Sequence, residues 1–347
     1  MTLSGSEKLP ETMRAMQLDR AGEPLHMVER RLPVPGSGEV LIEVGACGVC
    51  RTDLHIVDGD IVGELPIIPG HEIVGKVSAL GENTARFEIG DRVGVPWLGS
   101  TCGHCRFCVS RKENLCDNPQ FTGFTVDGGF ASHAIAREEY CFALPPAIDD
   151  AHAAPLLCAG LIGFRAFSFT NGAKVIGLYG FGAAAHIIAQ LAVGLGCQVL
   201  AFTRPGDVAG QAFARSLGCV WAGSSDEPAP IPLEAAIIFA PVGELVPLAL
   251  AATRKGGTVV CAGIHMSGIP SFPYELLWGE RHLRSVANLT RADGEAFFAA
   301  IANIKVETQV ERFVLGEANE ALNRLRSGDI IGAAVLIPQT AEPSTSP

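Results

Sequence analysis

At 347 residues the chain is long for a single hydrophobic core, so two domains are expected. An apolar content of 48% with 18% charged residues describes a well-buried globular protein and excludes an intrinsically disordered one. The net charge of -11 argues against a nucleic-acid or anionic-membrane partner.

The opening MTLSGSEKLPETM has no basic stretch leading into an apolar one, so no signal peptide is expected. Its first dozen residues and the closing AEPSTSP read as polar, mobile ends. Eleven cysteines without a secretory signal point to a reducing, cytoplasmic compartment, where thiols serve metals rather than disulfides. Residues 36–145 carry short β-branched runs separated by glycine-rich turns: EVLIEVGACGV, EIVGKVSAL and DRVGVPW. This pattern predicts a compact, barrel-like β domain.

Three dispersed residues within and just after this region suggest an open metal site. Cys50 lies in GVCRTDLH, His71 beside Glu72 in PGHEIVG, and Cys158 in PLLCAG. Two cysteines and a histidine with water in the fourth place form a catalytic zinc arrangement, which polarises and acidifies a bound water or alcohol. Asp53 is a suitable carboxylate partner to fix the tautomer of His71. Each of these residues alone would read as an ordinary core or hydrogen-bonded side chain.

Between them lies Cys102-x2-Cys105-x2-Cys108-x7-Cys116, a spacing that can wrap one tetrahedral zinc in a closed, structural site. The rival is an iron–sulfur cluster. The compact ferredoxin run has three residues before its last cysteine and a proline after it; here there are seven, and Asp117 follows. Arg106, Arg111 and Lys112 would offset the charge of four thiolates.

Near Ala151 the sequence becomes Ala/Leu-rich and helical, and from Lys174 strand and helix candidates alternate, which predicts a parallel sheet covered on both faces. Val175 to Arg204 has no charged residue before Arg204, as a membrane span would; its glycines, His186 and Gln190 favour strand, turn, helix and strand instead. Within it, Gly180, Gly182 and Ala185 form G-x-G-x-x-A after the strand VIGLY, the dinucleotide fingerprint. The first glycine makes the turn, the second admits a pyrophosphate to the helix N-terminus, and Ala185 lets helix and strand pack. The second strand ends in Thr203 and Arg204 where an acid would bind the ribose of NAD. That exchange favours NADP(H) over NAD(H), unless Arg204 simply faces solvent or stacks on adenine. The chain closes with helix, strand, helix and the apolar strand AAVLIP, a segment that could rejoin the first domain.

Together, GVCRTDLH, PGHEIVG, GDRVG, the four-cysteine lobe, LLCAG and GFGAAA resemble, in order, the zinc-containing alcohol dehydrogenases of the medium-chain dehydrogenase/reductase superfamily. The resemblance implies an α/β chain. Residues 1–153 and 290–347 would form a GroES-like β-barrel catalytic domain, with the zinc lobe at 99–118. Residues 154–289 would form a Rossmann domain with a doubly wound parallel sheet. It implies two Zn²⁺ per chain, one held by Cys50, His71 and Cys158 with Glu72 exchanging with its water, the other by the lobe cysteines. Thr52 would take the alcohol proton and His55 would end the relay. Arg51 and Arg291 would contact the coenzyme and Trp97 the substrate. The implied reaction is reversible hydride transfer between a small primary or secondary alcohol and NAD(P)⁺, in a homotetramer or homodimer. Two alternatives stand beside it: a zinc-independent quinone or enoyl reductase, which the intact metal ligands disfavour, and a non-catalytic nucleotide-binding redox sensor, which intact Thr52, Asp53 and His55 disfavour. Cys47, Cys141, Cys197, Cys219 and Cys261 match no ligand position and read as core thiols.

Overall fold

A computed structural model of the chain describes residues 9–263 and 265–338. The expected mobility of AEPSTSP lies outside the described residues, as do the signal-peptide and mobile-end readings up to residue 8. The chain divides into two compact units. One comprises Met1–Cys105, Cys116–Leu157 and Gln309–Pro347; the other comprises Arg106–Leu115 and Cys158–Thr308.

The first unit is built on the long strand Glu39–Val49. It pairs antiparallel with Glu72–Leu80, His133–Arg137 and the late strand Ala333–Ile337, within a seven-stranded sheet. Valine, isoleucine and leucine along these strands fill one continuous core with Met13, Leu18, Ile68 and Phe130, as β-branched residues favour a pleated, buried surface. The pairing sets Gly48 opposite Glu72. A register shift between Val44 and Ala46 falls at Gly45, just before that pair.

The second unit carries a six-stranded sheet whose neighbouring strands are all parallel. Its strands are Val175–Tyr179, Gln198–Thr203, Trp221–Ser224, Leu233–Ile238, Thr253–Cys261 and His282–Ser285. Numbered along this unit, their order is 3-2-1-4-5-6, the doubly wound arrangement of dinucleotide-binding sheets. The uncharged stretch from Val175 thus folds as strand, the 12-residue helix Ala183–Gly194 and strand. Among the described residues no single helix is long and apolar enough to cross a membrane. Tyr179 and Phe202 stack at 4.1 Å between ring centres, joining adjacent strands.

Candidate active site

Cys50 caps the helix Arg51–Asp58: its sulfur accepts the Thr52 N–H at 3.3 Å, while the Asp53 carboxylate accepts the Cys50 N–H at 2.8 Å. These reciprocal bonds satisfy donors that a helix N-terminus otherwise leaves open. They also fix Asp53 beneath the site. Its Oδ1 accepts the Gly70 N–H at 3.2 Å and lies 3.3 Å from His71 Nδ1. With Nδ1 turned to the carboxylate, Nε2 is the nitrogen left to a metal. Burial works against charge on His71, but the negative groups of Asp53 and Cys50 outweigh it and hold its pKa well above the ordinary 6.5.

The donor atoms of Cys50, His71 and Glu72 all lie within 4.8 Å of one another, and Cys158 opens the second unit directly after Leu157. A cysteine sulfur, an imidazole and a carboxylate make a donor set suited to zinc. Glu72 reaches it because its strand partner is glycine. A Cβ on Gly48 would lie 1.8 Å from Glu72 Oε2. Thr52 is buried one turn from the half-buried His55 on the same helix, and His55 Nδ1 meets Asp60 Oδ2 at 2.8 Å. Asp60 escaped the sequence reading because surface carboxylates are common and nothing local marks its partner. Arg51 is exposed at the start of this helix.

Trp97 meets the His71 ring edge-on at 5.0 Å. Phe121 and Phe124 stack on the same indole at 5.0 and 5.8 Å. Sequence reasoning found the tryptophan but not these two, since neither lies within twenty residues of it along the chain.

In the lobe, the sulfurs of Cys102, Cys105 and Cys116 also converge within 4.8 Å. Cys105 and Cys116 Sγ are 3.9 Å apart. A tetrahedron with arms of ~2.3 Å has edges of roughly 3.8 Å, so the spacing suits one zinc ion. Backbone N–H groups of Cys102 and Asn118 point at Cys116 Sγ, and that of Cys105 at Cys102 Sγ, at 3.3–3.4 Å.

In the second unit, Gly180 turns the chain at φ 86°, and a Cβ there would meet Ala240 at 2.7 Å. Gly182 precedes helix Ala183–Gly194 with open space where a Cβ would sit, and no side chain caps the helix. Its N-terminal N–H groups are therefore disposed to receive a phosphate, which is what a dinucleotide needs. Ala185 is fully buried against the sheet. Thr203 is buried, its hydroxyl accepting from Gln211 Nε2 at 3.1 Å and donating to Gly223 O at 3.3 Å. Arg204 is exposed at the strand end. The next acid along the chain, Asp207, accepts the Gly210 N–H at 2.9 Å and so caps the next helix. Arg291 begins helix Arg291–Ile301.

No disulfide joins any of the eleven cysteines. Cys47, Cys141, Cys197 and Cys219 are buried and Cys261 partly so. Burial pushes all five thiols up, Cys141 and Cys219 to about 12, which keeps them protonated and inert.

Comparison with known proteins places this geometry among relatives. The family described as alcohol dehydrogenase GroES-like domain matches residues 36–146. A probable alcohol dehydrogenase of Mycobacterium tuberculosis is 43% identical over 340 residues, covering 94% of this chain and 97% of its own. A cobalt- and zinc-bound thermostable alcohol dehydrogenase from Pyrobaculum aerophilum superposes with a TM-score of 0.82 at 26% identity, over 94% of this chain and 100% of its own. An acetophenone reductase from Geotrichum candidum, in complex with NAD, gives 0.82 at 26% identity over 95% and 98%.

Proposed function

The chain belongs to the zinc-type medium-chain alcohol dehydrogenase family, and we propose that it interconverts a small alcohol and its aldehyde or ketone with a nicotinamide dinucleotide. The observation that carries this reading is the convergence of Cys50, His71 and Glu72 in a chain that also holds Cys158 in PLLCAG and a fingerprint turn at Gly180 and Gly182. A reductase without catalytic metal would have no use for that donor set.

Cys50, His71 and Cys158 would hold one zinc with Glu72 beside it, and the four lobe cysteines a second. Zinc bound there supplies Lewis acidity to the substrate oxygen, and the coenzyme supplies or takes up the hydride. The chain's own residues do the rest. Asp53 orients His71. Thr52, on the buried face of its helix, takes the hydroxyl proton, and His55, held by Asp60, passes it on. Trp97, Phe121 and Phe124 present flat apolar surface beside His71, which suits an aromatic or bulky apolar substrate.

Gly180, Gly182 and Ala185 would receive the pyrophosphate, with Arg51 and Arg291 adding positive charge. NADP(H) is favoured because Asp207 is committed to a helix cap and Arg204 is exposed where a 2′-phosphate would lie. Thr203 shapes that strand end from within. A cytoplasmic setting, where thiols stay reduced, fits the eleven cysteines, and a homotetramer or homodimer fits the family. The test is steady-state reduction of benzaldehyde by the purified protein with NADPH and, separately, NADH. Turnover supports the reading; no turnover with either coenzyme in zinc-replete protein overturns it.

A further inference from the structure

Two neighbouring residues of the lobe hold both ends of a segment far away in sequence. Glu113 Oε1 accepts the Arg291 N–H at 2.9 Å and lies 3.6 Å from Arg291 Nε. Asn114 Nδ2 donates to Ala287 O at 2.8 Å. Glu113 is 6% exposed and Asn114 8%, so neither is a casual surface contact. The partners are 178 and 173 residues apart along the chain.

Both anchors belong to one short 3₁₀ turn, Glu113–Leu115, which runs directly into the ligand Cys116. The segment they grip, 287–291, leaves the carboxyl end of the sixth parallel strand, His282–Ser285. In open α/β sheets, ligands bind beyond the carboxyl ends of the strands. The gripped segment contains Asn288 in a left-handed conformation at φ 56°, uncommon for a residue with a side chain. It ends on Arg291, the first residue of a helix whose cap, Thr290 with Asp293, is already complete. The carboxylate of Glu113 therefore serves a remaining N-terminal donor and the arginine itself, rather than replacing a missing cap.

We propose that Glu113 is a positioning residue for coenzyme binding: it sets Arg291 for the coenzyme from the four-cysteine lobe. The lobe thereby acts as a buttress for the coenzyme segment as well as a closed metal site. This inference rests on the coenzyme reading of Arg291 given above.

The test is fluorescence titration of zinc-replete wild type, E113A, E113Q, R291A and the E113A/R291A pair with NADPH and with NADH, alongside zinc content. E113A loses both contacts, and its Kd should rise roughly tenfold, the scale of one charge-assisted contact. E113Q keeps the backbone acceptor but not the charge, and should rise about threefold, less than one charge-assisted bond is worth. Zinc content should stay at the wild-type level, KM for the coenzyme should rise more than kcat falls, and E113A should add little to R291A. Unchanged Kd values, full additivity with R291A, or a rise that merely tracks zinc loss would overturn the proposal. Should E113A not fold, E113Q decides alone: raised Kd supports it and wild-type Kd overturns it. Wild-type protein that binds neither coenzyme would instead defeat the coenzyme reading itself.

Discussion

Asp53 Oδ1 lies 3.3 Å from His71 Nδ1, with 0% and 1% of the two side chains exposed. A carboxylate so placed fixes ring orientation and raises ligand basicity. Replacing Asp53 by Asn should weaken metal retention at the Cys50–His71–Cys158 site about 10–100-fold, while the lobe cysteines keep theirs. Chelator competition monitored by zinc content measures this. Equal retention of both metals in D53N would show that Asp53 serves packing alone.

The same pair sets a pH dependence. In the metal-free protein, Asp53 and Cys50 hold the His71 pKa above 6.5. The stability that the charged imidazole contributes is then complete below 6.5 and lost as pH rises through the raised value. Metal affinity runs the opposite way, because the ligand must shed that proton. Zinc uptake at this site should strengthen steadily from about pH 6 to pH 9 and release protons measurable in weakly buffered calorimetry. Uptake with no proton release across that range would contradict the assignment of His71 as ligand.

Gly48 is the residue that admits Glu72. In G48A the new methyl would sit 1.8 Å from Oε2 and 2.8 Å from Cδ of Glu72. The carboxylate must move, at a cost of about 1–3 kcal/mol in stability, and kcat should drop by an order of magnitude or more. Thermal melts beside steady-state kinetics separate the two effects. A variant with wild-type kcat would mean that Glu72 takes no part near the metal.

The candidate metal residues and the fingerprint stand out in the sequence because each sits in a short motif whose spacing carries its own chemistry. Cys102, Cys105 and Cys108 repeat at x2 intervals, and Gly180, Gly182 and Ala185 follow a strand. What could not be read depends on topology. Nothing near Trp97 in sequence announces that Phe121 and Phe124 stack on it, and nothing near Glu113 announces Arg291. The helix-capping role of Cys50, beside its proposed place at the metal, was also hidden, since cysteine is not among the favoured capping residues. Thr203 shows a third kind of gap: its place at the strand end follows from the sequence, but the inward turn of its hydroxyl depends on Gln211 and Gly223.

Coenzyme choice should follow Arg204. Replacing it by Asp would restore an acid where NAD-binding sheets carry one. The ratio of kcat/KM for NADPH over NADH should fall by at least about tenfold, the scale of one charged contact to phosphate. An unchanged ratio would place Arg204 away from the 2′-phosphate and remove the argument for NADP(H).

If Cys50 holds a catalytic metal distinct from the lobe metal, zinc content measured together with turnover in Cys50→Ser shows it. Zinc should fall from two per chain towards one, benzaldehyde reduction should be abolished, and NADPH should still bind. Full activity in that variant, at wild-type zinc content, would contradict it.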